Sequence, residues 1–231
     1  MITLGIIGVV AAMTIPNLMT KITEKRTITK VKKTFSMLSQ AHRMAEAEHG
    51  TVDGWFGDFA TNNTDNAQQH IAYMEKLVPY LKLSDNCIGK DNAYVEKHCG
   101  SLDTYLGATV RLINGVLVYG RIWHKDCSSF YADSVKRHTC GHIIVYLEPN
   151  KPTKVGENSF WFFITTEGII PYGKPESQIK FEKACNKSIA SPYPGHSTGN
   201  MYGCTAWVIY NNNMDYLRCD DLSWEGKHTC K

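Results

Sequence analysis

Residues 2–19, ITLGIIGVVAAMTIPNLM, carry no charged side chain, and a helical hydrophobic pattern follows them without a break. From Ile22 onward apolar residues recur at Ile28, Val31, Phe35, Leu38, Ala41 and Ala45. Spacings of three and four place these side chains on one stripe of a helix. Gly50, after AEAEH, is a stop signal. The chain is therefore expected to begin with one helix over residues 2–49, apolar on all sides at first and one-sided afterwards. At about 1.5 Å per residue such a helix reaches roughly 70 Å, too long for a compact head to bury whole. Gly5, Gly8, Ala11 and Ala12 keep one side of its upper part small, which lets another helix approach closely. Pro16 is expected to kink the helix or loosen the turn before it. The division that follows is a helix over 1–50 and a globular head over 51–231.

The cysteines set the compartment. All eight, Cys87, Cys99, Cys127, Cys140, Cys185, Cys204, Cys219 and Cys230, lie in the later part of the chain. No C-x-x-C occurs, which removes the commonest zinc and thioredoxin-like patterns. Wide spacings in a polar, Gly/Asn-rich region point to disulfides formed in an oxidising compartment. Eight cysteines allow about 105 connectivities. Sequential pairing (Cys87–Cys99, Cys127–Cys140, Cys185–Cys204, Cys219–Cys230) keeps every loop short, but spacing alone leaves the others open.

An exported head needs something to carry it out, and residues 2–19 are the one apolar run of about the 18-residue length a membrane span requires. Only Met1 precedes that run, so the basic region of a cleavable signal peptide is missing. The basic cluster Lys21, Lys25, Arg26, Lys30, Lys32 and Lys33 follows it instead. By the positive-inside tendency that cluster would hold the remainder in the cytosol. The conflict resolves if a basic leader lies upstream, and a start before Met1 is the expectation. The rest of the composition is that of a folded protein, 43% hydrophobic and 20% charged, without repeats. A net charge of +3, with no basic and aromatic stripe, gives no reason to expect nucleic acid as a partner.

LGIIGVVAAMTIPNLM, followed by the lysine-rich amphipathic half, resembles the amino-terminal segment of type IV pilins and type II secretion pseudopilins over residues 2 to about 45. GHIIVYLEPNKPTKVGENSFWFFITTEGIIPYG (141–173) and GCTAWVIYNNNMDYLRC (203–219) resemble the heads of pilin-like type II secretion proteins. The resemblance implies a lollipop-shaped subunit with its long helix packed on an antiparallel sheet. It further implies a prepilin peptidase that removes a leader and methylates the new amino terminus. The subunit would be held by a single pass in the bacterial cytoplasmic membrane, head exported, until its helix bundles with those of other pilin or pseudopilin subunits. The family's Gly, Phe and Glu around the cleavage position would all lie before Met1.

The head also reads on its own terms. TDNAQQHIAYMEKLVPYLKL (64–83) has a helical stripe at Ile71, Met74, Leu77 and Leu81, stressed by Pro79. TVRLI (109–113) and GVLVYGRIW (115–123) flank Asn114-Gly115, a hairpin signal. HIIVYLE (142–148) and FWFFITT (160–166) are β-branched and aromatic, Gly168 turns the second toward IIPYG, and TAWVIYNNN (205–213) is expected to be the last long strand. A helix followed by clustered strands predicts an α+β head with an antiparallel sheet, its irregular loops braced by disulfides.

Few constellations suggest chemistry. GHSTG (195–199) fits G-x-S-x-G, with Ser197 as the would-be nucleophile of a serine hydrolase. The flanking SPYP and NMYG are loop-like, whereas a nucleophile elbow needs a strand before it and a helix after it. The nine histidines form no H-E-x-x-H, so zinc is not expected, and His42 and His49 read as exposed polar positions on the long helix. Asp215, Asp220, Asp221 and Glu225 form an acidic cluster without the EF-hand pattern. They read as a solvated loop, with calcium only as the pseudopilin resemblance allows, and no other cofactor is expected. The basic cluster is expected to meet lipid headgroups or acidic neighbours in a filament. The expected function is thus a non-enzymatic structural subunit of a pilus-like filament or secretion pseudopilus. A membrane-tethered binding protein or adhesin that never polymerises is the alternative.

Overall fold

The computed structural model describes residues 2–56, 67–100, 108–189 and 200–230, and within the first helix the side chains of Ile15 and of Leu18 onward. Helix α1, Ile2–His49, runs unbroken through Pro16. It ends at Gly50, whose φ of 78° only glycine adopts freely and whose N–H bonds the Glu46 carbonyl at 2.9 Å. The expected stripe is the buried one: Ile28, Val31, Leu38, Ala41 and Ala45 are in the core, and Phe35 stacks on Phe162 with ring centroids 5.5 Å apart.

Helix α2, Ala67–Leu77, packs beside α1, where Tyr73 meets His42, and buries Met74 and Leu77 as well. It is shorter than the 64–83 expected. Pro79 has no N–H to continue an α-helix, and the chain passes through a 3-10 turn at Val78–Tyr80 into strand β1, Leu83–Asn86. A further short helix, α3 (Asn92–His98), begins where the Asp91 carboxylate accepts the Tyr94 N–H at 2.8 Å. Neither β1 nor α3 was expected.

Five more strands follow: β2 (Thr109–Leu112), β3 (Leu117–Ile122), β4 (Thr139–Tyr146), β5 (Ser159–Thr165) and β6 (Gly168–Pro171). With β1 they form one antiparallel sheet in which spatial order equals chain order. The β2–β3 hairpin turns at Asn114-Gly115, with Gly115 at φ 79° and the Val116 N–H donated to the Asn114 side chain at 3.2 Å. On one face, Gly120, Ile143 and Phe162 lie in register across β3, β4 and β5 beneath the helices. A Cβ on Gly120 would sit 2.7 Å from Met74 Sδ, so glycine there is what lets α2 approach. Alternation sends Arg121, His142, Trp161 and Phe163 to the opposite face, where Phe163 joins a second, smaller apolar cluster with Ala132, Tyr172 and Tyr202.

Two further expectations fail. TAWVIYN is not the last strand: Cys204–Asn211 forms helix α5. Cys204, Thr205, Ala206, Trp207 and Val208 are all buried, so the segment shows no helical stripe, and its β-branched, aromatic composition imitates a buried strand. Trp207 lies against Phe181 of the short helix α4 (Phe181–Ala184), with centroids 4.1 Å apart. Asn212 then ends α5 at φ 57°, a left-handed conformation that asparagine tolerates. The second failure is His42, which is fully buried. It stands on the core stripe four residues after Leu38, its Nδ1 3.2 Å from the Tyr73 hydroxyl and its Nε2 3.4 Å from Glu46 Oε1. His49 is half-buried.

All eight cysteines are paired, each with the next in the chain. Cys87–Cys99 ties the segment after β1 to the end of α3, Cys127–Cys140 closes the β3–β4 connection, Cys185–Cys204 joins the end of α4 to the start of α5, and Cys219–Cys230 closes the carboxy-terminal loop. The fold is α+β, a long amino-terminal helix against a six-stranded antiparallel sheet with loops braced by four disulfides.

Candidate functional site

Two regions stand apart from the packing that holds the head together. The first is the upper part of α1. Its full burial begins at Ile28; above that point Ile22 is half-buried, and Ile15, Leu18 and Met19 are 56%, 59% and 54% exposed. Residues 2–27 amount to roughly 40 Å of helix at 1.5 Å per residue. The exit point is tied down by an ion pair between Glu24 and Arg218, which Arg218 shares with Asp215, and by Lys32 donating to Asn212 at 3.0 Å. Lys21, Lys25, Arg26, Lys30 and Lys33 are exposed around it. Gly5, Gly8, Ala11, Ala12 and Pro16 lie on this helix, but their contacts fall outside the described side chains. Among the described residues no helix is long and apolar enough to cross a membrane.

The second region is a cavity of about 360 Å³ on the sheet face away from the helices. β3 supplies Arg121, and the chain running out of that strand supplies Trp123, His124 and Tyr131. His142 comes from β4, opposite Arg121 in the ladder, and Trp161 from β5; Tyr202 closes the wall from just before α5. The rings meet edge to face, His142 with Trp123 at 4.5 Å, His142 with Trp161 at 4.5 Å and Trp161 with Tyr202 at 4.7 Å. His142 is 2% exposed, and its Nδ1 lies 3.3 Å from the Tyr172 hydroxyl. Burial, then the nearby charges of Arg121 and His70, hold its pKa well below the usual imidazole value, so the ring is neutral. Among the described residues, buried His142 Nε2 and Trp161 Nε1 have no hydrogen-bond partner.

This cavity escaped the sequence reading because its walls come from three strands and two distant segments. One signal was present: His142 interrupts an otherwise apolar strand, and a polar group at a buried position needs a reason. The residues singled out for chemistry are not gathered into it. Ser197 lies outside the described residues. Asp215 pairs with Arg218 and accepts the Cys230 N–H at 3.0 Å, while Asp221 takes Lys227 at 2.9 Å. Among the described residues no group of three or more His, Cys, Asp or Glu side chains is arranged to hold a metal ion.

These features define a class: a disulfide-braced α+β head on a long helical stem, with an aromatic cavity on the sheet face remote from the stem. Residues 17–213 match the model of a family of unknown function, DUF6613, and the chain belongs to that family. No curated protein and no solved structure matches it.

Proposed function

We propose that the chain is a structural subunit of a type IV pilus-like filament or a type II secretion pseudopilus. In this reading it waits in the bacterial cytoplasmic membrane with its head exported, then assembles with like subunits through α1. The observation that carries this is one unbroken helix that buries a stripe in the head only from Ile28 onward and leaves Ile15, Leu18 and Met19 uncovered. Large side chains of this kind, following an uncharged run, call for a lipid or protein cover. The resemblance of residues 2–45 to pilin assembly helices, with small residues at Gly5, Gly8, Ala11 and Ala12, gives the cover its form. The exposed lysines below the run suit lipid headgroups before assembly, and the four disulfides suit an exported head.

The test is recovery of sheared filaments and of membrane fractions from cells making the natural gene product. Gly8→Leu or Ala12→Leu is expected to lower filament yield at least fivefold while the protein stays in the membrane. Unchanged filament yield overturns assembly through this face. A membrane-held protein that never enters filaments, even unmutated, establishes the second reading, a tethered exported binding protein, which the aromatic cavity favours.

A further inference from the structure

The aromatic cavity is independent of the stem, and it carries a reading of its own. We infer that the cavity between Trp123, Tyr131 and Trp161 binds a neutral sugar, one pyranose ring of a glycan. The rings that would meet it have accessible surface: Tyr131 is 42% exposed, and Trp123 and Trp161 are half-buried. Large aromatic side chains left open on a fixed scaffold offer contact area at little cost in side-chain entropy. The volume of about 360 Å³ lies toward the lower end of small-molecule sites, enough for one ring and its substituents.

The scaffold is fixed by bonds that leave the rings alone. Trp123 and His124 both donate their N–H to the Cys140 carbonyl, at 2.8 and 2.9 Å, and the Cys127–Cys140 bridge closes the segment that follows. The Tyr131 carbonyl accepts from Ser177 Oγ at 2.9 Å and from the Gln178 N–H at 3.2 Å, so its ring is held at the rim through the main chain. Little ordering is then left to occur on binding. The shape of the wall selects the ring. Trp123 with Tyr131 and with His142, His142 with Trp161, and Trp161 with Tyr202 all meet edge to face, at 69° to 86°. A flat ring is best held in a slot between parallel faces. A pyranose chair has C–H groups above, below and around its edge, and it can rest on faces turned across one another. Arg121 and His124 stand among the rings. Sugar hydroxyls both donate and accept, so they suit a guanidinium and an imidazole in either tautomer.

Titration calorimetry on the full chain with cellobiose, maltose, lactose and N,N′-diacetylchitobiose tests this, with benzyl alcohol as an uncharged flat ring. At least one disaccharide is expected to bind with a Kd of about 1 mM or tighter, and benzyl alcohol more weakly than that sugar. Tyr131→Ala removes an exposed ring whose main chain is anchored separately, and is expected to weaken the sugar at least threefold with an unchanged melting temperature. Trp123→Phe keeps a smaller ring in the wall and is expected to weaken it by a lesser factor. No disaccharide binding at that level, benzyl alcohol binding as tightly as the best of them, or wild-type affinity in both Tyr131→Ala and Trp123→Phe overturns the inference.

Discussion

Replacing each cystine by a pair of alanines measures what the four bridges contribute separately. The paired residues are 12, 13, 19 and 11 positions apart, in chain order. Chain entropy alone then assigns the bridges nearly equal weights, between about 2.8 kcal/mol for the shortest loop and about 3.2 kcal/mol for the longest at 25 °C. Loop length therefore cannot produce a large spread, and any spread reports packing in the folded state. Cys87, Cys99, Cys127, Cys140 and Cys204 are essentially inaccessible and Cys185 nearly so, whereas Cys219 and Cys230 are half-buried. Removing a buried sulfur adds a further cost on the order of 1 kcal/mol. The first three double variants are accordingly expected to lose about 4 kcal/mol each, and Cys219→Ala with Cys230→Ala about 3 kcal/mol. Urea unfolding of the full chain, with the other three bridges intact, gives the four values. The reasoning is refuted if the carboxy-terminal pair proves the costliest, or if any buried pair costs less than about 1 kcal/mol.

Two other perturbations test the sheet and its buried histidine. A Cβ at Gly141 would fall 1.9 Å from the Arg121 carbonyl oxygen and 2.8 Å from Ile122 Cα, both backbone atoms that move only if β3 and β4 separate. Gly141→Ala is expected to cost 3 kcal/mol or more, at or above the upper end of ordinary overpacking, against about 0.5 kcal/mol or less for Gly54→Ala, which meets nothing within 4 Å; equal urea midpoints would contradict this. His142 is neutral in the fold and protonates in the unfolded chain near its ordinary value, so the unfolded state takes up more protons as pH falls. Its contribution is present above about pH 6.5 and is lost progressively below it, on the order of 1 kcal/mol by pH 5.5. Wild type is therefore expected to lose that much more stability than His142→Gln between pH 7.5 and 5.5, and parallel pH curves would remove the premise.

Where side-chain chemistry and geometry were local, the sequence could be read. The three- and four-residue spacing from Ile28 to Ala45, the Asn114-Gly115 turn and the β-branched runs of β4 and β5 each lead to the element found. The failures have a common cause in burial on every side. α5 sits between α4, the sheet and α1, so each of its first five residues is buried and the helical period vanishes from its composition. Its signal lay at its end, in an asparagine able to take φ 57°. His42 is polar, which suggests exposure, yet its spacing from Leu38 sets it on the core stripe and Tyr73, 31 residues away, supplies its partner. The cavity was illegible for a related reason: Arg121, His142 and Trp161 meet through strand register, and Tyr202 arrives from a segment that the Cys185–Cys204 bridge and the Asn186–Asn200 backbone pairing hold in place.

The order in which the cysteines pair has a consequence for biogenesis. A chain emerging amino-terminus first from a translocation channel would present each cysteine followed by its own partner, never by a competitor. An oxidant acting in order of emergence would then produce the native set with no reshuffling step. The sheet shares that directionality, since each strand finds its neighbour in the strand just before it. The stem shares it only in part, because α1 lies against β6 and α5, which would emerge late, as well as against α2. In such a chain the first element to emerge would be fully docked only at the end, and until then part of its core-facing stripe would need a temporary cover.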